Sequence, residues 1–283
     1  MSAEVIYGKD LATQIRQEMK EEVASLSKEG IHPKLVVIIV GEDPASQSYV
    51  KGKQRASENI GMESDLLELS ADTSQEKLLE TIEQLNSVSS VHGILVQLPL
   101  PDQIDEQKVI EAIDPRKDVD GFHPINVGKL MTGQDTFYPC TPYGILVMLK
   151  RANVTVEGKH VVVVGRSNLV GKPVGQLLLN ENATVTYCHS RTKNMKELTQ
   201  QADILIVAVG KPRMITGEDI AEGAVVIDVG VNRVDGKLTG DVDFESASEK
   251  ASFITPVPKG VGPMTITMLL HNTIKAAKWI HNR

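Results

Sequence analysis

The sequence predicts an α/β protein with parallel sheets, its 283 residues divided between two domains. Short Val- and Ile-rich runs recur along the chain, and stretches with helical spacing lie between them. Strands buried on both faces and joined by crossover helices produce this pattern. A segment rich in Pro and Gly, Asp114–Pro142, interrupts the alternation midway. The length suits one large domain or two modest ones, at about 100–200 residues each.

Ser2–Tyr7 reads as a first strand and Gly8–Lys28 as the helix after it. LVVIIV (Leu35–Val40) is a buried strand, followed by a helical-looking stretch that carries Tyr49 and Lys53. Glu63–Leu69 and GILVQL (Gly93–Leu98) complete four strands in the first half, with a helix at Ser74–Leu85. A helix at Tyr143–Ala152 crosses to the second half. There HVVVVG (His160–Gly165), ATVTYC (Ala183–Cys188), DILIVAVG (Asp203–Gly210) and AVVIDVGV (Ala224–Val231) form a second set of strands, with a helix at Val170–Leu179. The long amphipathic stretch Pro263–His281 is expected to return to the first half. The expected domains are therefore residues 1–148 rejoined by 263–283, and residues 149–262.

Apolar residues make up 41% and charged residues 24% of the chain. These are ordinary globular values and exclude a disordered or fibrous chain. There are 30 Lys and Arg against 37 Asp and Glu, a net charge of −7. A protein that grips nucleic acid by broad electrostatics carries the opposite sign, so no nucleic-acid partner is expected. Cys140 and Cys188 make neither a disulfide framework nor a metal-spaced cluster, so no metal is expected. Two cysteines also suit a reducing compartment. The longest apolar runs, such as Leu35–Val40 and Ile204–Val209, fall far below the roughly 20 residues of a membrane span. The opening MSAEVIYGKDLATQ lacks the basic-then-apolar pattern of a signal peptide. A cytoplasmic protein without a membrane partner is the expectation.

The second half carries the pattern of a dinucleotide site. After the strand His160–Val164 comes Gly165-Arg166-Ser167-Asn-Leu-Val-Gly171-Lys-Pro-Val-Gly175, then a helix. A strand, a Gly-rich turn and a helix start direct backbone N–H groups and a positive dipole end at one point, where a pyrophosphate is stabilised. Ser167 replaces the second glycine of the usual G-x-G-x-x-G fingerprint. The phosphate-loop spacing also fails, because Pro173 follows Lys172. The next strand ends in His189-Ser190-Arg191-Thr192, with no carboxylate to hold a ribose 2′-hydroxyl. Guanidinium groups at Arg166 and Arg191 with the Ser190 hydroxyl suit a 2′-phosphate, which favours NADP over NAD. Ala208–Pro212 and Asp228–Asn232 bring glycines to the carboxyl edge of a parallel sheet, where ligands bind. Together these features predict a C-terminal NAD(P)-binding, Rossmann-like domain.

The first half carries polar chemistry. Tyr49 and Lys53 are four residues apart and share a helix face. A phenol ring beside an ammonium can stack on a heteroaromatic ring and place a proton donor near it. Gln97 ends the strand Gly93–Leu98 and both donates and accepts hydrogen bonds. Pro99 and Pro101 stop that strand. In Asp118-Val-Asp120-Gly121-Phe-His123-Pro124 a carboxylate beside glycine is either a ligand contact or turn chemistry. His123, a single histidine before proline, reads as structural. Pro256-Val-Pro258-Lys259-Gly-Val-Gly262-Pro263-Met-Thr265 can wrap a flat ligand with backbone groups, and Pro263 suits a first helical turn.

Six segments in order make the chain similar to the bifunctional methylenetetrahydrofolate dehydrogenase/methenyltetrahydrofolate cyclohydrolase family. They are Tyr49–Lys53, Gln97–Pro101, Asp118–Pro124, Pro139–Pro142, Gly165–Ser167 with Val170, Gly171 and Pro173, and Pro256–Thr265. The resemblance implies two domains with a cleft between them and two activities. One transfers hydride from 5,10-methylenetetrahydrofolate to NADP. The other adds water to the resulting methenyl cation and opens it to 10-formyltetrahydrofolate. It implies that Lys53 handles the proton of the hydrolytic step, tuned by Gln97, that Tyr49 stacks on the aminobenzoate ring and that Asp120 binds the pterin edge. Val96, Gln97 and Leu98 with Pro258, Gly262 and Pro263 would line the folate pocket. Gly165, Arg166, Ser167 and Ser190 would hold the NADP phosphates, and Val231 would meet the nicotinamide end. The implied partners are tetrahydrofolate derivatives and a second copy of the chain, joined through the cofactor domains. The implied setting is one-carbon metabolism feeding purine, methionine and histidine biosynthesis. Lys259 departs from the family, many of whose members carry glycine there.

Two other readings fit an α/β chain with a dinucleotide site. One is a two-domain dehydrogenase of another small metabolite, such as an amino acid or shikimate, which predicts nothing special at Tyr49, Lys53 or Gln97–Pro101. The other is a non-catalytic nucleotide sensor, which would lack the polar cluster of the first half.

Overall fold

The computed structural model describes residues 2–281. In chain order the elements begin with β1 (Glu4–Val5), α1 (Gly8–Lys28), β2 (Lys34–Val40), α2 (Pro44–Asn59), β3 (Glu63–Leu69) and α3 (Gln75–Ser87). Next come β4 (Gly93–Val96), α4 (Glu106–Ala112), α5 (Pro124–Met131), α6 (Cys140–Arg151), β5 (His160–Val164) and α7 (Gly171–Asn180). Then follow β6 (Thr184–Cys188), α8 (Met195–Thr199), β7 (Ile204–Val207), a 3-10 turn at Gly217–Asp219 and β8 (Val225–Asp228). The last are β9 (Asn232–Val234), β10 (Lys237–Thr239), α9 (Phe244–Ser248), β11 (Phe253–Ile254) and α10 (Val261–Ile280). Two compact units divide them: Gln14–Cys140 with the chain from Ile266 onward, and the chain up to Thr13 with Thr141–Thr265. The sequence reading placed these divisions at 148/149 and 262/263.

The first unit is built on a three-stranded parallel sheet in the order β3-β2-β4. Every residue of Leu35–Val40 is buried, as a central strand covered on both faces requires. Val36, Ile38 and Val40 pack with Ile94 and Val96 against Leu78 and Ile82 of α3 and Val109 of α4. The Ser74 hydroxyl caps the start of α3 by accepting the Lys77 N–H at 3.2 Å. The buried Lys117 ammonium donates to the carbonyls of Leu85, Asn86 and Val88 at the end of α3. The distal part of α10 joins this unit. Asn272 donates to the Val119 and Tyr138 carbonyls at 2.8 and 3.0 Å, and Lys278 pairs with Glu22 of α1.

The second unit holds a six-stranded sheet in the order β1-β11-β8-β7-β5-β6, with every pair parallel. The chain places β6 on one side of β5 and β7 on the other, so strand order reverses at β5. A crevice forms outside the carboxyl ends of the strands at such a switch point. Val161–Val164 are fully buried between β7 and β6.

The structure corrects several expectations. Ser2–Tyr7 was expected in the first sheet; its strand is only Glu4–Val5 and pairs with β11 of the second. A two-residue ladder carries too little pattern to name its partner, and β11 itself is too short to be read from sequence. The run Ala224–Val231 leaves the sheet after Asp228. The chain then makes an unpredicted antiparallel hairpin, β9 with β10. Its signal was present: Asp235-Gly236 is a two-residue turn with both φ values positive, 48° and 77°, the geometry that Asp-Gly favours in hairpins. The segment Asp114–Pro142, expected to be irregular, contains α5, which starts at Pro124 with the His123 ring accepting the Ile125 N–H. No helix among the described residues is long and apolar enough to cross a membrane.

One buried ring in the first unit has a measurable pH signature. His92 is 2% exposed and accepts the Lys34 N–H through Nδ1, which leaves its proton on Nε2 facing His281. Burial, then the charges of His281 and Lys117, push its pKa down from 6.5 to about 4. A depressed folded-state pKa on a base means the unfolded chain binds the proton first. The neutral ring therefore stabilises the fold above 6.5, and that contribution is lost as pH falls toward 4. Thermal midpoints followed across this window should fall more steeply for the wild type than for His92→Asn. Parallel profiles would contradict the assignment.

Candidate active site

Lys53 lies on α2, whose start is fixed by Pro44 and by the Asp43 carboxylate accepting the Ser46 N–H. The helix turns Tyr49 and Lys53 to one face, and the ammonium sits 5.1 Å from the Tyr49 ring centroid. Lys53 is only 5% exposed, whereas Tyr49 is 38% exposed. An amphipathic surface helix would present the opposite arrangement. Nζ donates to Gln97 Oε1 at 2.9 Å. Gln97 Nε2 donates in turn to the Leu98 carbonyl at 2.7 Å, which fixes the amide with its oxygen toward the lysine. Gln97 lies just past the end of β4, so the sheet edge sets its position.

Burial lowers the Lys53 pKa, while the nearby Asp120 carboxylate opposes the shift. Asp120 is raised by the same burial, opposed by Lys53 and by the Cys140 thiol. Each group is pushed toward its neutral form, and each charge partly restores the other. Cys140 starts α6, donates to the Val119 carbonyl at 3.3 Å and has its thiol held protonated by burial. A lysine with a depressed pKa, a carboxylate, an oriented amide and an aromatic ring can move a proton beside a flat substrate.

The two carboxylates of Asp118–Asp120 divide the roles that the sequence left open. Asp118 is buried and does turn chemistry. Its Oδ1 accepts the Gly121 and Phe122 N–H groups at 3.2 and 3.3 Å. Its Oδ2 accepts the His123 N–H and Asn126 Nδ2, each at 2.8 Å. Asp120 is the carboxylate coupled to Lys53. Thr136 donates to Asn126 Oδ1 at 2.7 Å and extends the network. Sequence reasoning did not find Cys140 or Asp118 as parts of this arrangement.

The second unit holds a cavity of about 480 Å³ at the carboxyl ends of β5, β6 and β7. Gly165, Arg166, Ser190, Thr192, Val209 and Lys211 are among its walls. A Cβ at Gly165 would stand 2.3 Å from the Ala208 carbonyl oxygen, so the turn after β5 requires glycine. The walls carry two cationic side chains and no carboxylate, which fits a dinucleotide with a 2′-phosphate. Gly165, Arg166 and Ser190 thus share one cavity wall. The Ser167 hydroxyl instead accepts the Val170 and Gly171 N–H groups at 3.1 and 3.2 Å and stands outside the cavity walls. Val231 is 65% exposed between β8 and β9 and also lies outside them.

Of the predicted folate-lining residues, Val96 packs its side chain in the core of the first sheet, and Leu98 follows it half-buried. Pro258, Gly262 and Pro263 belong to the second unit, with Pro258 exposed and the other two half-buried. Lys259 adopts φ 83°, the left-handed region that favours glycine, and its carbonyl accepts the Lys9 N–H at 3.0 Å. A second cavity, of about 440 Å³, opens beside Arg213, Asp228 and Pro256 and holds none of the predicted residues. No group of three or more potential metal ligands occurs among the described residues.

Two family models match the chain. Residues 6–120 match "Tetrahydrofolate dehydrogenase/cyclohydrolase, catalytic domain", and residues 139–281 match "Tetrahydrofolate dehydrogenase/cyclohydrolase, NAD(P)-binding domain". The chain belongs to this family. The bifunctional protein FolD of Halalkalibacterium halodurans is 68% identical over 278 residues, covering 98% of this chain and all of that one. The bifunctional FolD methylenetetrahydrofolate dehydrogenase/cyclohydrolase of Campylobacter jejuni superimposes with a TM-score of 0.97 at 50% identity, covering 98% of this chain and 99% of that one. The Trypanosoma brucei enzyme, solved with NADP cofactor and an inhibitor, matches with a TM-score of 0.95 at 40% identity, covering the whole of both chains.

Within this family member, the Asp118 carboxylate offers a clean test of how the Asp120 loop is held. In Asp118→Asn either orientation of the amide sets an NH2 against two donors. Chemical denaturation should show a loss of about 2–3 kcal/mol, the scale of buried donors left unpaired. A change below about 0.5 kcal/mol, the range of neutral surface substitutions, would show that the loop does not depend on this carboxylate.

Proposed function

We propose that the chain oxidises 5,10-methylenetetrahydrofolate with NADP and then hydrolyses the 5,10-methenyl product to 10-formyltetrahydrofolate. The observation that carries the reading is the buried Lys53 ammonium, donating to Gln97 over the Tyr49 ring with Asp120 coupled to it. Family membership and the similarity to bifunctional relatives favour it over a dehydrogenase of another metabolite or a nucleotide sensor.

Hydride removal needs orientation more than acid or base. NADP, when bound, supplies the hydride acceptor. Arg166, Ser190 and the Gly165 turn would hold its phosphates, with Ser167 shaping the helix start behind them and Val231 toward the nicotinamide end. Tyr49 would stack on the aminobenzoate ring, and Asp120 would take the pterin edge. Val96, Gln97 and Leu98, with Pro258, Gly262 and Pro263, would contribute to folate contacts.

The second step needs proton movement. Water adds to the methenyl carbon, and neutral Lys53 Nζ takes a proton from it. The carbinol hydroxyl then gives up its remaining proton as the bond from that carbon to N5 breaks, N5 receives a proton and the one-carbon unit remains on N10 as formyl. The positive charge of the methenyl substrate further disfavours a charged lysine, which increases its basic fraction. Gln97 accepts from Nζ throughout and keeps it aimed. The same reading places the protein in the cytoplasm, as a homodimer through the cofactor units, feeding purine, methionine and histidine biosynthesis.

Replacing Lys53 by Met keeps the stem and deletes the proton carrier. Methenyl hydrolysis should drop by about a hundredfold or more, while the NADP Kd stays within about twofold. Cyclohydrolase turnover equal to wild type in Lys53→Met would remove lysine from the mechanism.

A further inference from the structure

We infer that Asp241 is a positioning residue for the dinucleotide, because its carboxylate fixes the main chain at Val209 and Gly210, where the cofactor cavity meets the end of β7. The inference rests on that cavity being the NADP site.

Beyond β7, the Ala208 N–H still donates to the Val164 carbonyl at 2.8 Å, so the ladder to β5 continues for one residue. The next two amides leave it. Val209 N–H and Gly210 N–H both donate to Asp241 Oδ2, at 2.7 and 2.9 Å. Ala208, Val209 and Lys211 all line the cavity with Arg166 and Ser190. Asp241 itself lies beyond the β9–β10 hairpin and outside the cavity walls, so it reaches the cofactor only through this segment.

The surroundings of Asp241 hold it in one place. It is fully buried, and its other oxygen accepts Asn232 Nδ2 at 2.9 Å. Its own N–H donates to Asp228 Oδ1 at 3.0 Å, and Asp228 also accepts the Gly230 and Val242 N–H groups. A Cβ at Gly230 would stand 2.2 Å from the Asp241 carboxyl carbon, so the chain leaves room for this side chain only with glycine there. A buried carboxylate is tolerated when donors surround it. Converting one oxygen to NH2 sets a donor against either the Val209 and Gly210 amides or Asn232. The first orientation displaces the main chain at 209–210 directly, and the second loosens the side chain that holds it.

The test compares the full-length wild type with Asp241→Asn by calorimetric titration with NADP, amide exchange at Val209 and Gly210, and methenyl hydrolysis. The expected result is an NADP Kd raised about tenfold and faster exchange at both amides. Hydrolysis, whose proton carrier lies in the other unit, should stay within about twofold. If Asp241→Asn does not fold, Asn232→Ala removes the donor to the other oxygen, together with its bond to the Thr239 carbonyl, and should raise the Kd by about threefold. A wild-type Kd in whichever variant folds, with unchanged exchange, overturns the inference. So does an equal loss of hydrolysis and NADP binding, which would mark a general structural role. A wild type that fails to bind NADP brings down the cavity assignment itself, and the inference with it.

Discussion

Burying a lysine ammonium costs free energy that must be recovered locally, and the first unit is arranged around that constraint. Lys53 is removed from water by α2, yet it keeps one strong acceptor in Gln97 Oε1 and one aromatic face in Tyr49. The acceptor is oriented by the end of β4 and by its own bond to Leu98. The carboxylate that opposes deprotonation, Asp120, is carried by a loop whose shape Asp118 sets through four donors. Burial wins on balance and lowers the lysine pKa, so the group is suited to accept a proton as well as to give one. Opening the site to water would return Lys53 toward an ordinary charged side chain, whereas removing Asp120 would lower its pKa further.

The second unit uses buried carboxylates differently. Asp228 and Asp241 accept main-chain amides and make no contact with the cavity walls' cations. They hold loops at the carboxyl edge of the sheet, the edge at which open α/β sheets bind ligands. The cavity's own walls carry arginine, lysine and hydroxyl groups, without a carboxylate to repel a phosphate. Both units therefore place acidic side chains behind the binding surface as organisers. Asp120, coupled to a lysine, is the exception.

Much of this was legible in the sequence where a pattern is local. The buried runs at Leu35–Val40 and His160–Val164 announce central parallel strands because both faces are apolar. The spacing of Tyr49 and Lys53 announces a shared helix face, and His123 before Pro124 reads correctly as structural. What failed depends on distant partners. β1 and β11 are too short to carry a pattern, and their pairing joins the two ends of the sequence. Asp118 and Asp120 look alike in one dimension; only the fold shows that one faces backbone amides and the other a lysine. Ser167, read as a phosphate contact, has its hydroxyl on the Val170 and Gly171 N–H groups, a local bond at the start of α7. Asp241 gave no sign, because its donors at Val209 and Gly210 lie far away in sequence and are main-chain groups.

The central claim is that the fold depresses the Lys53 pKa while Asp120 resists the change. Titration of the Lys53 side chain, followed by the Cε resonance in selectively labelled protein, measures this directly. The expected value lies below the ordinary 10.5 and drops further in Asp120→Asn, since that carboxylate raises it. A Lys53 that titrates at or above 10.5, or one that is indifferent to Asp120, would contradict the account.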